Sequence, residues 1–213
     1  PEKVSFMVTH TTGILCVALT KSRARELNLP LMVENNEDQR RTAFTVAVDF
    51  APGITTGVSA VERARTIRAL GEPSTTPKDL IRPGHVYPLV AHDQVLLGRQ
   101  GHTEAGVALS QLSKSSEQAL LSEIVATNGS MARGETLKSF AATHHIPIIA
   151  IADLTTYYKA NYSATKSPAV KLEWADLPID NKMWKIATYP ALRQRDHAII
   201  AFNPHITSEP TYL

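Results

Sequence analysis

The 213-residue chain has a single cysteine, Cys16, so no internal disulfide can staple it, and a reducing compartment suits it. No apolar run approaches the length of a membrane span, and no signal peptide precedes the first apolar strand pattern. Neither sign of charge dominates. The 22 basic and 20 acidic residues leave +2, with Lys and Arg scattered, which excludes the footprint of a nucleic-acid or other polyanion binder. Internal repeats and low-complexity tracts are absent too. An initiator methionine is also lacking: the chain starts at Pro1 in what reads as mid-helix, with Val4, Met7 and Val8 on one side, so residues upstream are expected. What is present, 43% hydrophobic and 20% charged residues, supports one substantial core. The default expectation is a cytoplasmic enzyme or binding domain that touches neither membrane nor nucleic acid.

The positive signals centre on two runs, Arg82-Pro83-Gly84-His85-Val86-Tyr87-Pro88-Leu89 and Arg99-Gln100-Gly101-His102-Thr103-Glu104. Each sets a His directly after a Gly, where the backbone can turn sharply and hold the imidazole at the end of an element. Thr103 reads as an N-cap, followed by Ala105, Ala108, Leu109 and Leu112 at the spacing of a buried helical stripe. His102 would then sit at the positive end of a helix. Free N–H groups there suit a phosphate, and His102 and Arg99 add a metal ligand and a fixed cation. One Gly-His alone is as ordinary as any surface or core histidine; two, each flanked by Arg, point to a site.

Around these runs, residues 13–20 predict a strand covered on both faces and residues 21–28 a short helix closed by Pro30. Residues 34–41 form a charged loop, and residues 42–50 alternate, with Phe44, Val46, Val48 and Phe50 on one face. Ser59 and Glu62 make a capping box that starts a helix at Ala60 and carries it to Leu70. The preceding Thr55, Thr56 and Gly57 either cap that helix or offer groups to a phosphate or sugar hydroxyl. Residues 86–90 and 94–97 read as paired strands. Residues 120–125 read as another, in which Glu123 either faces solvent or is held in a site for proton transfer. After the Asn128-Gly129 turn, Leu137, Phe140 and Ala141 predict a helix, followed by a buried strand at 148–151 and a last helix capped by Asp153. Strands alternating with helices argue an α/β (α+β mixed) layered domain. Residues 161–169 read as a linker, and residues 184–189 and 197–202 as two strands of a short β-rich tail, marginal by itself.

The two histidine runs, together with Thr12-Gly13-Ile14-Leu15-Cys16, Leu29-Pro30-Leu31-Met32-Val33-Glu34-Asn35-Asn36, Ile54-Thr55-Thr56-Gly57-Val58-Ser59-Ala60 and Asn128-Gly129-Ser130-Met131-Ala132-Arg133, carry a family likeness. Over roughly residues 4–158 the chain resembles the 3,4-dihydroxy-2-butanone 4-phosphate synthases of riboflavin biosynthesis. The resemblance implies a three-layer fold around a mixed β-sheet with helices on both faces, and a homodimer with active sites at the interface. It also implies conversion of ribulose 5-phosphate into 3,4-dihydroxy-2-butanone 4-phosphate and formate, dependent on Mg²⁺ with Mn²⁺ as a substitute. Residue by residue, it makes His102 the metal ligand and a substrate contact, and Arg99, Gly101 and Thr103 contacts to substrate and phosphate. Glu123 becomes the essential carboxylate, also touching substrate, and His85 the proton-transfer histidine that reaches into the partner subunit's site. Cys16 and Thr56 line the pocket.

The family's acidic run, which supplies the other metal ligand and a catalytic acid, has no counterpart from Pro1 onward; Glu37, Asp38, Arg40 and Arg41 are the only local mixed-charge cluster. The chain as given is therefore expected to bind metal poorly and to turn over slowly or not at all. The alternative is a non-catalytic paralogue kept as a dimerisation or sugar-phosphate-binding module. Ala175-Asp176-Leu177-Pro178 and the two tail strands resemble the opening of GTP cyclohydrolase II, often fused behind this synthase. The implied division is a synthase-like domain at 1–160, a linker at 161–169 and a partial cyclohydrolase II-like segment at 170–213. The zinc cysteines of that second domain are missing, so no cyclohydrolase activity is expected.

Overall fold

One four-residue strand, β1 (Cys16–Leu19), is buried on both faces and organises most of the chain. In the computed structural model, residues 1–162, 175–179, 182–189 and 197–201 are described. The chain divides into two units, residues 1–162 and 163–213. In the first, β1 lies between β3 (Leu80–Val90), parallel to it, and β4 (Gln118–Leu121), antiparallel; β2 (Val48–Phe50) pairs antiparallel with the far side of β3. The mixed sheet thus has the order β2-β3-β1-β4.

Alternation along β1 separates two cores. Val17 and Leu19 pack with Val4 of α1 (Glu2–His10), Ala24 of α2 (Lys21–Glu26) and Ala64, Ile67 and Leu70 of α3 (Ala60–Gly71). Ala18 points the other way, into Val107 and Ala108 of α4 (His102–Leu112) and Leu154 and Tyr158 of the terminal helix of this unit (Ile151–Asn161). Helices on both faces of a mixed sheet make three layers, and this double covering is why the β1 sequence is continuously apolar. Between α4 and that terminal helix in sequence lies α5 (Glu135–His144), which makes the terminal helix α6.

At α3 Ser59 is the N-cap, as expected, but the Glu62 carboxylate turns to the Ser59 hydroxyl and to Thr55 in place of the Ser59 N–H, so only the first half of the capping box forms. Ser59 Oγ accepts the Glu62 N–H at 3.2 Å, and the Glu62 carboxylate accepts the Ser59 hydroxyl at 2.8 Å. The same carboxylate also takes the Thr55 N–H at 2.5 Å and the Thr55 hydroxyl at 2.8 Å. Led by the Thr55 N–H bond, these donors hold Glu62 down from 4.5 to about 2. A carboxylate depressed in the folded state stabilises it fully above its ordinary value, and the contribution fades as pH falls from 4.5 toward 2. Urea midpoints measured across that window should fall with acidity, and Glu62→Gln should flatten the slope.

Several local expectations give way to tertiary packing. The strand expected at 13–20 shrinks to β1, leaving Ile14 47% exposed. Residues 42–50 do not alternate; Thr45, Ala47, Val48 and Asp49 are buried, and only β2 is regular, because single bridges from Phe44 to Leu89 and Thr45 to Leu31 hold the rest. Residues 86–90 and 94–97 do not pair: β3 is one 11-residue strand already flanked by β1 and β2, and Val95–Leu97 form a 3-10 turn. At α4 the N-cap is Gly101, whose extended backbone (φ −112°, ψ 166°) meets the requirement, while Thr103 is buried within the first turn and caps nothing. Leu109 is exposed and Val107 takes its place in the core, because the helix lies flat against Ala18 and Ala119. The strand at 148–151 is absent. Ile148 and Ile149 are more than half exposed and line an apolar groove of about 840 Å³ with Phe6 and Phe140, and α6 begins at Ile151 with Ala150 as N-cap, so Asp153 only charges its first turn.

In the second unit β5 (Ala175–Ile179), β6 (Lys182–Tyr189) and β7 (His197–Ala201) form an antiparallel sheet in that order, one strand more than expected. Apart from Asn161 and Tyr162, the expected linker lies outside the described residues, as does Phe202.

Candidate active site

The site residues fall into three groups set by the sheet. Cys16 opens β1 and pairs with Tyr87 on one side and Leu121 on the other. It shares the face of Ala18, the one that α4 covers. Glu123 follows β4 by two residues, is exposed, and brings its main chain and carboxylate against Gly13. Burial, and then the charge of Glu123, push the Cys16 thiol up to about 12. Cys16 is therefore a small apolar group and not a nucleophile. At pH 8 the native chain should leave a thiol-reactive disulfide reagent unconsumed, and urea should release one equivalent.

The second group is centred on His85, which lies within β3 and not at an element's end. The pairing of β2 with β3 slips between Val48 and Asp49, from Val86 to Ile81, so residues 82–85 bulge from the ladder. The bulge brings His85 over Asp49. Nδ1 of the imidazole lies 2.6 Å from Asp49 Oδ2, and the His85 N–H donates to Asp49 Oδ1 at 3.0 Å. The Asp49 side chain is 5% exposed and that of His85 47%. Gly57 closes over the pair at φ +77°, where a Cβ would overlap the Asp49 carboxylate. Gly84 makes a second close approach, its missing Cβ leaving room for the Val48–Asp49 backbone. Neither Gly84 nor Gly101 takes a positive φ, so both serve by lack of bulk and not by turning the chain.

In the third group, Arg99 Nη1 donates to Glu104 Oε2 at 2.6 Å and Nη2 to the Arg40 carbonyl at 3.0 Å, tying the charged loop to the start of α4. Glu104 is 1% exposed, and its other oxygen accepts the His92 N–H at 3.0 Å. Gly101 fits against both partners of this pair. Glu104→Leu should cost about 2–3 kcal/mol in urea unfolding, below the full figure for a buried pair because Arg99 keeps some solvent contact. His102, first residue of α4, is exposed, and Thr103 behind it is buried. Thr56 is exposed in the loop before α3, its hydroxyl 3.5 Å from the Val58 N–H. Thr55 spends its groups on Glu62, so capping accounts for that half of the loop.

No hydrogen bond or ion pair among the described residues joins His102 to Glu123 or to His85. Two buried carboxylates that hold the candidate residues, Asp49 and Glu104, escaped assignment from sequence. Asp49 is an acidic residue inside the apolar run of residues 43–51, the same signal that singled out Glu123. Among the described residues no group of three or more His, Cys, Asp or Glu side chains is placed to hold a metal ion. His102 offers a single nitrogen where Mg²⁺ favours oxygen, so these residues do not make a magnesium site by themselves.

A three-layer mixed sheet with ionisable side chains at a strand irregularity, just beyond one strand end and at one helix start places the chain among layered α/β domains. Comparison with known proteins narrows this. Residues 1–157 match the family model of 3,4-dihydroxy-2-butanone 4-phosphate synthase, and the chain belongs to that family. It is 43% identical over 159 residues to the Agrobacterium fabrum protein of that name, covering 75% of each chain. It is 42% identical over 189 residues to the riboflavin biosynthesis protein RibBA of Salinispora tropica, covering 89% of this chain but 46% of that one. A solved synthase structure in complex with two magnesium ions superposes with a TM-score of 0.71 at 39% identity, over 76% of this chain and 80% of that one.

Proposed function

We propose that the chain is the synthase part of a riboflavin-biosynthesis lyase, converting ribulose 5-phosphate into 3,4-dihydroxy-2-butanone 4-phosphate and formate. The observation that carries the reading is an imidazole held on one nitrogen and open on the other, His85, within a family match that spans 1–157. Enolisation, loss of water, skeletal rearrangement and loss of formate need several proton transfers, and a positioned imidazole and carboxylate suit them. His85 accepts and returns protons at Nε2, and Glu123, exposed beside Cys16, serves as the second proton carrier. Arg99, oriented by Glu104, and the start of α4 at Gly101, His102 and Thr103 bind the phosphate end, which anchors the substrate while its carbon skeleton rearranges. Cys16 and Thr56 line the pocket.

The cofactor is a divalent cation, Mg²⁺ or Mn²⁺, to which this chain contributes His102 and further ligands come from outside the described residues. The working unit is a homodimer in the cytoplasm. Exposed Leu31, Met32 and Val33 give it apolar surface, and no helix among the described residues is long and apolar enough to cross a membrane. Residues 1–160 form the synthase domain, 161–169 a linker, and 170–213, which include β5–β7, the start of a cyclohydrolase II-like domain.

The test is formate release from ribulose 5-phosphate and MgCl₂, by this chain and by the chain preceded by the N-terminal segment of the Agrobacterium fabrum relative. Formate from the extended form supports the reading, and its absence overturns it. Calorimetry should show sugar-phosphate binding that strengthens with Mg²⁺. Metal-independent binding without formate would identify a non-catalytic module.

A further inference from the structure

We propose that the apolar groove beside α1 and α5 is the seat of one β-strand, supplied by an N-terminal segment such as that of the Agrobacterium fabrum relative. The proposal does not depend on the reaction assigned above. Two lengths of non-helical chain line the groove: Ser122 and Ile124, which continue the outermost strand β4, and residues 146–149. Phe6 of α1 and Phe140 of α5 give it an apolar wall. Its unmet hydrogen bonds are those of a peptide ladder. The lining hydroxyls of Thr11 and Ser122 already bond each other at 2.7 Å. The N–H groups of Ile148 and Ile149 and the carbonyls of residues 146–149, by contrast, have no partner among the described residues. The chain order β4, α5, residues 146–149 is that of a crossover unit, in which a helix carries the chain between two parallel strands of one sheet. A strand seated between the two supplies the pairing that each lacks, and apolar side chains at its alternate positions cover Phe6 and Phe140.

The occupant is a segment of the same polypeptide because the groove reaches the start of α1, whose first residues, Glu2 and Lys3, line it. A chain entering ahead of Pro1 needs no long connection to fill it. A quarter of the Agrobacterium fabrum relative lies outside its match to this chain, ample for one strand of about five residues. A second copy fits worse. It offers the same two edges again, or β2, whose three residues are fewer than those at 146–149. A small apolar ligand would fill the volume and leave the peptide groups of residues 146–149 unpaired.

The test is amide hydrogen exchange, read by mass spectrometry, on this chain and on the chain preceded by the N-terminal segment of the Agrobacterium fabrum relative. Residues 146–150 should exchange almost freely in this chain and more slowly in the extended form, by a factor on the order of 10² or more. In the extended form Ile149→Lys, which sets a charge in the groove, should remove most of that protection, and Ile149→Val should keep it. Should Ile149→Lys not fold, the two unmutated forms decide. Should the fused segment prevent folding, the same segment added to this chain as a synthetic peptide is the probe, with the same two outcomes. Free exchange at residues 146–150 with the segment present and the fold intact by circular dichroism overturns the proposal. So does slow exchange in this chain alone: independent of protein concentration, it means that the groove is closed from within, and rising with concentration, that a second copy fills it. Protection without formate would leave the strand seat standing and overturn only the reaction; formate without protection would do the reverse.

Discussion

His85→Asn should lower kcat/KM for formate release by a factor on the order of 10² to 10⁴, with the fold intact by circular dichroism. Asparagine is close in reach to histidine and can still donate to Asp49 Oδ2, so the bond that seats the side chain survives. What it cannot do is accept a proton and return it. Nothing in the core depends on the imidazole, which is 47% exposed, so the loss should appear in turnover and not in the urea midpoint. A fall confined to KM would mean that His85 only contacts the substrate. A fall of less than about threefold would shift the proton transfers onto Glu123 or onto groups outside the described residues.

The second large effect concerns stability. Gly84→Val should destabilise the chain by about 3 kcal/mol or more, at the upper end for overpacking, and Gly84→Ala should act in the same direction with a smaller loss. A Cβ at Gly84 would overlap the carbonyl carbon of Val48 and the amide nitrogen of Asp49. Those are backbone atoms of a paired strand, which cannot rotate out of the way as a side-chain tip can. β2 would have to separate from β3, exposing Val48, now fully buried, and releasing the carboxylate that holds His85. Urea unfolding with an unchanged m-value reads the loss directly.

Where local chemistry decides, the sequence shows the structure. The Ser59 cap needs only the turn it opens, so α3 begins where the pattern places it, and a run as apolar as β1 has little choice but a doubly covered strand. Where the outcome depends on what packs alongside, the pattern misleads. Leu109 has the spacing of a core residue but lies off the surface that α4 presents to the sheet, and Ile148 and Ile149 have strand composition but pair with no strand among the described residues. At the site the same division holds. Gly-His pairs are visible in sequence because two residues suffice to define them. Asp49 joins His85 across 36 positions through a strand irregularity that no periodicity announces. The role of the glycines was legible only as to place; the expected turning freedom is not used at Gly84 or Gly101.

Gly84 and Gly57 have a consequence for how the chain tolerates change. One lets two backbones touch and the other lets a loop rest on an ion pair, so the placement of His85 is shaped by atoms that are missing. Exhaustive mutagenesis scored by growth or turnover should therefore find its most intolerant columns at two positions with no functional group whatever, ahead of several of their charged neighbours.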